Sequence, residues 1–93
     1  MFIKTGSNMD LKEQFEAAIV KSKTLKERPG NEVLLHLYSL YKQGSEGDAP
    51  VTMEYAMFDF VAKAKHEAWL KYVGITKEDA MTQYVELVEK LSQ

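Results

Sequence analysis

Ninety-three residues, 45% of them hydrophobic and 28% charged, are enough for one globular domain and leave no room for a second. The chain has no cysteine, which excludes a disulfide framework, a thiolate nucleophile and a cysteine-held zinc. Fourteen acidic against twelve basic side chains leave a formal charge of −2, without the basic excess by which proteins sit on nucleic acid or anionic membranes, so any bound anion must be met by a few placed cations.

Residues 1–8, Met1-Phe2-Ile3-Lys4-Thr5-Gly6-Ser7-Asn8, are too few and too polar for a signal peptide, and no apolar run approaches the roughly 18 residues of a membrane span. The expectation is a cytoplasmic protein without stable membrane insertion, with a flexible tail over residues 1–9 and one domain over 10–93. Asp10, with Glu13 three residues on, makes a capping-box pattern. Behind it Leu11, Phe15, Ala18, Ile19 and Ser22 recur at helical spacing, predicting a first helix from about 11 to 24. Arg28-Pro29-Gly30 stops that helix. Asn31 is expected to cap a second, carrying Leu34, Leu37, Tyr38 and Tyr41 and fading at Gln43-Gly44.

Residues 44–56 read as a loop, longer than the 2–8 residues of a plain helix–helix connection. Such a crossover lets a bundle set two consecutive helices parallel. A third helix is expected to begin near 57–60, carry Val61, Ala64, Ala68 and Trp69, and end at Gly74. Thr76, with Asp79 behind it, caps a fourth with the stripe Ala80, Met81, Tyr84, Val85, Val88 and Leu91. No segment alternates with period two for long enough to make a strand. The fold class is all-α.

On the second helix, Tyr38, Tyr41 and Lys42 share one surface at spacings of three and four. Two hydroxyls, two aromatic faces and an ammonium suit a phosphorylated nucleotide. They equally suit half-buried core tyrosines beside a solvated lysine, and on spacing alone that plainer reading is the better one. Lys65 lies four residues after Val61 and four before Trp69, where its stem can cover a groove and its charge reach the rim. An ordinary solvated lysine is the better reading on spacing alone. His36, four residues after Glu32, lacks the further ligands a metal site needs, and no Gly-rich phosphate loop or nucleophile elbow is present. No metal, no cofactor and no catalytic residue is expected.

Several stretches occur together in order: Phe15-Glu16-Ala17-Ala18, Leu37-Tyr38-Ser39-Leu40-Tyr41-Lys42-Gln43 and Gly47-Asp48, then Met57-Phe58-Asp59-Phe60, Lys63-Ala64-Lys65 and Ala68-Trp69, and finally Lys77-Glu78-Asp79-Ala80-Met81 with Tyr84. Each alone is a weak signal. Jointly, from about residue 11 to 92, they resemble the acyl-CoA-binding protein family. The resemblance implies a four-helix up-down-down-up bundle that binds long-chain acyl-CoA as an intracellular carrier and pool former, not an enzyme. It implies that Tyr38 and Lys42 meet the 3′-phosphate of the coenzyme A head with help from Lys65. Tyr41 and Tyr84 would line the nucleotide site, Lys23 would lie near its rim, and the acyl chain would run in a groove flanked by Ile19 and Phe60. A monomer is expected, with acyl-CoA-using enzymes as transient partners. The alternative is a helical protein-interaction module with the same fold and weak or no acyl-CoA binding.

Three departures stand out. Glu54-Tyr55-Ala56 occupies the place of the family's usual Arg-Pro-Gly, in a loop one residue longer. His66 stands where tryptophan is common, and Ala62 where glycine is frequent. His66 is expected at the edge of the apolar face, close to the head-group cations.

Overall fold

A computed structural model describes residues 9–93, so the tail expected over 1–9 lies, all but Met9, outside the described residues. Among these the protein forms four helices and no strand: α1 (Leu11–Ser22), α2 (Asn31–Glu46), α3 (Phe60–Leu70) and α4 (Lys77–Leu91).

The start signals of α1 and α4 act as read. The Asp10 carboxylate accepts from the Glu13 backbone N–H while the Glu13 side chain accepts from that of Asp10, and Thr76 Oγ1 accepts from the Asp79 N–H. Each satisfies donors that the first helical turn leaves unpaired. At α2 the expectation is off by one residue: Gly30, extended and without a side-chain cap, is the N-cap, and Asn31 is already helical. The same helix runs through Gly44 to Glu46 and stops at Gly47, whose φ of 87° suits glycine. α3 ends at Leu70, before Gly74, and residues 71–74 form turns.

Pairwise contacts give the helix directions. Along α2 and α3 the partners advance together: Leu34 and Leu35 meet Phe60 and Val61 around one cavity, Tyr38 meets Lys65, and Gln43 meets Trp69. These helices are therefore parallel, which the 13-residue connection over 47–59 permits. α1 and α4 also advance together, from Lys12 and Phe15 beside Lys77 and Met81 to the Lys21–Glu89 ion pair. Gly44, near the end of α2, lies against Met81, near the start of α4, so those two are antiparallel. The order is up-down-down-up.

The core joins Phe15, Ala18, Leu37, Leu40, Ala80, Tyr84 and Val88 from α1, α2 and α4. Leu40, fully buried, was not in the stripe expected for α2. Gly44 lets the helices approach closely: a Cβ there would stand 3.1 Å from Phe15 Cζ and 3.2 Å from Met81 Cγ. Gly44→Val is expected to cost about 2 kcal/mol of stability by overpacking, despite the better helix propensity of a non-glycine residue. Thermal unfolding checks this, and an unchanged melting temperature would contradict it.

α3 is tied in by polar contacts. The fully buried Gln43 side chain donates from Nε2 to Asp48 Oδ1 and to the Ile75 carbonyl, both at 2.8 Å, and its Oε1 accepts from Trp69 Nε1–H at 3.2 Å. One amide thereby links α2, the crossover, α3 and the turn before α4. Asp48 also accepts from the Gly74 N–H, and that bond, with the one from Gln43, holds its carboxyl below the ordinary aspartate value. A depressed carboxylate pKa contributes stability above the unfolded value near 3.9, which is lost as pH falls through the folded one. The stability gap between the wild type and Asp48→Asn is therefore expected to shrink from pH 6 to below pH 4. A gap constant over that range would contradict the assignment.

Candidate functional site

Two concavities open on either side of a wall made by Leu34 and Tyr38 on α2. The first, about 340 Å³, is lined by Ile19, Ser22 and Lys23 of α1 and its C-cap, Leu25 and Pro29 of the following loop, and Leu34, Leu37, Tyr38, Tyr41 and Tyr84. The second, about 430 Å³, lies between α2 and the start of α3, lined by Arg28, Asn31, Leu34, Leu35, Tyr38, Phe60, Val61, Ala64 and Lys65. Tyrosines and a lysine characterise the first. Aliphatic and aromatic side chains fill the second, with Arg28 and Lys65 as its cations.

The tyrosines hold graded positions. Tyr84 is 4% exposed, its ring edge-on to Phe15 at 5.2 Å, and its hydroxyl donates to Ser22 Oγ at 3.2 Å. Burial pushes that hydroxyl's pKa up, so it remains a donor at neutral pH. Tyr41 is exposed, with its ring stacked near Phe15 at 6.3 Å. Tyr38 is half-buried, and the Lys65 ammonium stands over its ring, 5.0 Å from the centroid. Neither of the latter two belongs to the buried core cluster, although Tyr38 is half-buried as the plainer reading had it.

Lys42 is placed differently from the rest. It lines neither concavity: its ammonium pairs with Glu46 one turn on and lies over the Trp69 ring at 4.9 Å. The hydrogen bond it donates to the Glu46 carboxylate raises its pKa, against partial burial that lowers it. Ile19 and Phe60, expected on one groove, line the first and the second concavity respectively, and Phe60 is largely exposed.

Sequence reasoning missed Arg28, read only as part of a helix stop, although a cation just before a helix start was the available signal. It also missed Glu46 as the partner of Lys42, despite the i, i+4 spacing. His66 departs furthest from expectation. It is neither at the edge of the apolar face nor among the cations; it is 3% exposed and turned toward the crossover segment. Its Nε2 lies 2.7 Å from the Pro50 carbonyl and its Nδ1 3.1 Å from the Tyr55 hydroxyl. His36 stacks on Tyr72 at 5.7 Å, and among the described residues no group of three or more His, Cys, Asp or Glu side chains gathers into a metal site.

The family model described as acyl CoA binding protein matches residues 12–88 of the chain. The chain belongs to the acyl-CoA-binding protein family. Among relatives in this family, the acyl-CoA-binding protein homolog of Manduca sexta is 43% identical over 83 residues, covering 89% of this chain and 92% of that protein. A similar stretch also occurs inside a larger protein. Enoyl-CoA delta isomerase 2 of Rattus norvegicus is 51% identical over 81 residues, 86% of this chain, but the chain spans only 20% of its length. Of solved structures, the Oryza sativa acyl-CoA-binding protein 2 superposes with a TM-score of 0.79 at 38% identity, covering 88% of this chain and 90% of that one.

Proposed function

We propose that the protein binds a long-chain acyl-CoA thioester and carries it without acting on it. The observation that carries this reading is the pair of concavities sharing the Leu34–Tyr38 wall, one aromatic and cationic, the other apolar with cations at its edge. Such adjoining surfaces match a ligand with a phosphorylated nucleotide at one end and a hydrocarbon chain at the other. Tyr41, Tyr84 and Lys23 serve the nucleotide. Tyr38, Lys65 and Lys42 serve the 3′-phosphate, Lys42 by exchanging Glu46 for phosphate, and Arg28 adds a cation near the same wall. Ile19 and Phe60 flank the path of the chain at its two ends. Each charge-assisted hydrogen bond contributes about 1.5–3 kcal/mol, and each buried methylene up to about 0.8 kcal/mol. A few of each give tight binding with no catalytic group.

The working form is a cytoplasmic monomer that hands acyl-CoA to the enzymes that use it. Calorimetric titration with palmitoyl-CoA, with free thiol followed in the same samples, tests the reading. Saturable one-to-one heat without thiol release is expected. No saturable heat would leave an interaction module of the same fold, and thiol release in proportion to protein would make the chain a thioesterase.

A further inference from the structure

The segment between α2 and α3 is longer than a plain connection, yet it is fastened to the bundle at several points. Asp48 accepts from Gln43 and Gly74, Ala49 is buried, and the His66 ring of α3 holds both Pro50 and Tyr55. A carbonyl oxygen only accepts, so Nε2 donates to Pro50, and in the neutral ring Nδ1 then accepts from the Tyr55 hydroxyl. Two of the three departures from the family's pattern, the Glu54-Tyr55-Ala56 stretch and His66, therefore meet each other in the fold.

Just beyond this clasp the segment turns large apolar side chains outward. Met57 is 85% exposed, Phe58 76%, Phe60 68% and Val61 67%. A contiguous exposed apolar patch marks a binding surface more often than an idle one. It is continuous with the second concavity: Phe60 and Val61 line that concavity, and the Phe58 ring stands 6.3 Å from that of Phe60.

We propose that the Tyr55–His66–Pro50 clasp sets the protein's acyl-chain-length preference by holding Met57 and Phe58 as an outer lip that prolongs the groove beyond Phe60. This rests on the acyl-CoA reading above. The occupant of the lip is the distal end of an acyl chain too long for the 430 Å³ concavity. Full burial of a methylene is worth up to about fourfold in affinity, so a lip in the right place rewards only chains long enough to reach it. His66 and Tyr55 do not touch the ligand. They position the residues that do.

The test compares octanoyl-, lauroyl-, palmitoyl- and arachidoyl-CoA by calorimetry on the full chain, its Tyr55→Phe variant and its Phe58→Ser variant. Tyr55→Phe removes one hydroxyl from the clasp and leaves the ring. Phe58→Ser removes apolar surface at an exposed position, where folding is least at risk. Both variants are expected to lose about tenfold in affinity for the two longer chains while octanoyl-CoA and free coenzyme A bind as in the wild type. Equal losses at every chain length, or an unchanged profile in either variant, would overturn the proposal. So would a Phe58→Ser variant that keeps its ligand profile but loses sedimentation with phospholipid vesicles or self-association, since the patch would then face a bilayer or a second copy. If instead the wild type binds no acyl-CoA of any length, it is the underlying acyl-CoA reading that fails.

Discussion

Replacing Gln43 with leucine is expected to lower the free energy of unfolding by about 2–3 kcal/mol and the melting temperature by roughly 10–20 °C. The substitution keeps the side chain's approximate size, so the cost comes from hydrogen bonds. The Ile75 carbonyl loses the Gln43 amide, Asp48 keeps only the Gly74 N–H, and Trp69 Nε1–H keeps only the Gly47 carbonyl. Leaving polar groups without partners in a low-dielectric interior costs more than the bond itself contributes. The effect should be large because α3 packs mainly against α2, so this junction carries much of its attachment. Thermal and denaturant unfolding, which small domains usually follow as a two-state process, measure it. A shift under about 3 °C would mean that packing around Trp69 and the remaining polar contacts hold α3 without the Gln43 amide.

Lys65→Ala and Lys42→Ala are each expected to weaken palmitoyl-CoA binding by about 1.5–3 kcal/mol. Among the described residues Lys65 makes no ion pair, and its ammonium already stands over Tyr38 at the wall between the concavities. Lys42 must first release Glu46. A pair of this exposed, i, i+4 kind contributes only about 0.3–0.5 kcal/mol, so a phosphate outcompetes it. Glu46→Gln should accordingly raise affinity by about twofold, the mirror of the lysine loss. Lys42→Ala also removes the cation from Trp69, at a cost of roughly 0.5–1 kcal/mol in folding. If both lysines meet the 3′-phosphate, each loss should shrink when the ligand is the 3′-dephospho acyl ester. Full additivity of protein and ligand changes would mean that they act elsewhere on the head group.

The parts of this fold that could be read from the chain are those decided within one turn of sequence. Asp10 with Glu13, and Thr76 with Asp79, cap α1 and α4 because both partners of each hydrogen bond lie three residues apart. The stripe on α4 is legible because the helix turns one face to the core, with Ala80, Tyr84 and Val88 fully inside. Gly44 misled the reading of α2. As a local signal glycine ends a helix, whereas here the approach of Phe15 and Met81 requires the missing side chain. Leu40 lies outside the stripe Leu34, Leu37, Tyr38 and Tyr41 read from spacing, yet the packing turns Leu40 fully inward and Tyr41 outward.

The candidate site divides in the same way. Tyr38, Tyr41 and Lys42 lie near one another because a helix puts them there. Lys23, Tyr84 and Ile19 reach the first concavity only once α1 and α4 pack, and that came from family likeness, not spacing. Nothing local told His66 apart from a rim residue. Its partners Pro50 and Tyr55 come from a connection whose path is set by the buried Ala49, the Asp48 anchor and the ring itself.

The measurement that tests the central claim most directly is calorimetric titration of the protein with palmitoyl-CoA, free coenzyme A and palmitate under one set of conditions. In the proposed reading the cations and tyrosines meet the head and the apolar groove the tail, so each half alone should bind far less well than the whole. Palmitoyl-CoA is expected to bind roughly tenfold or more tighter than coenzyme A, with palmitate giving no saturable heat. Equal affinity for palmitate and palmitoyl-CoA would contradict the account and make the protein a general lipid binder.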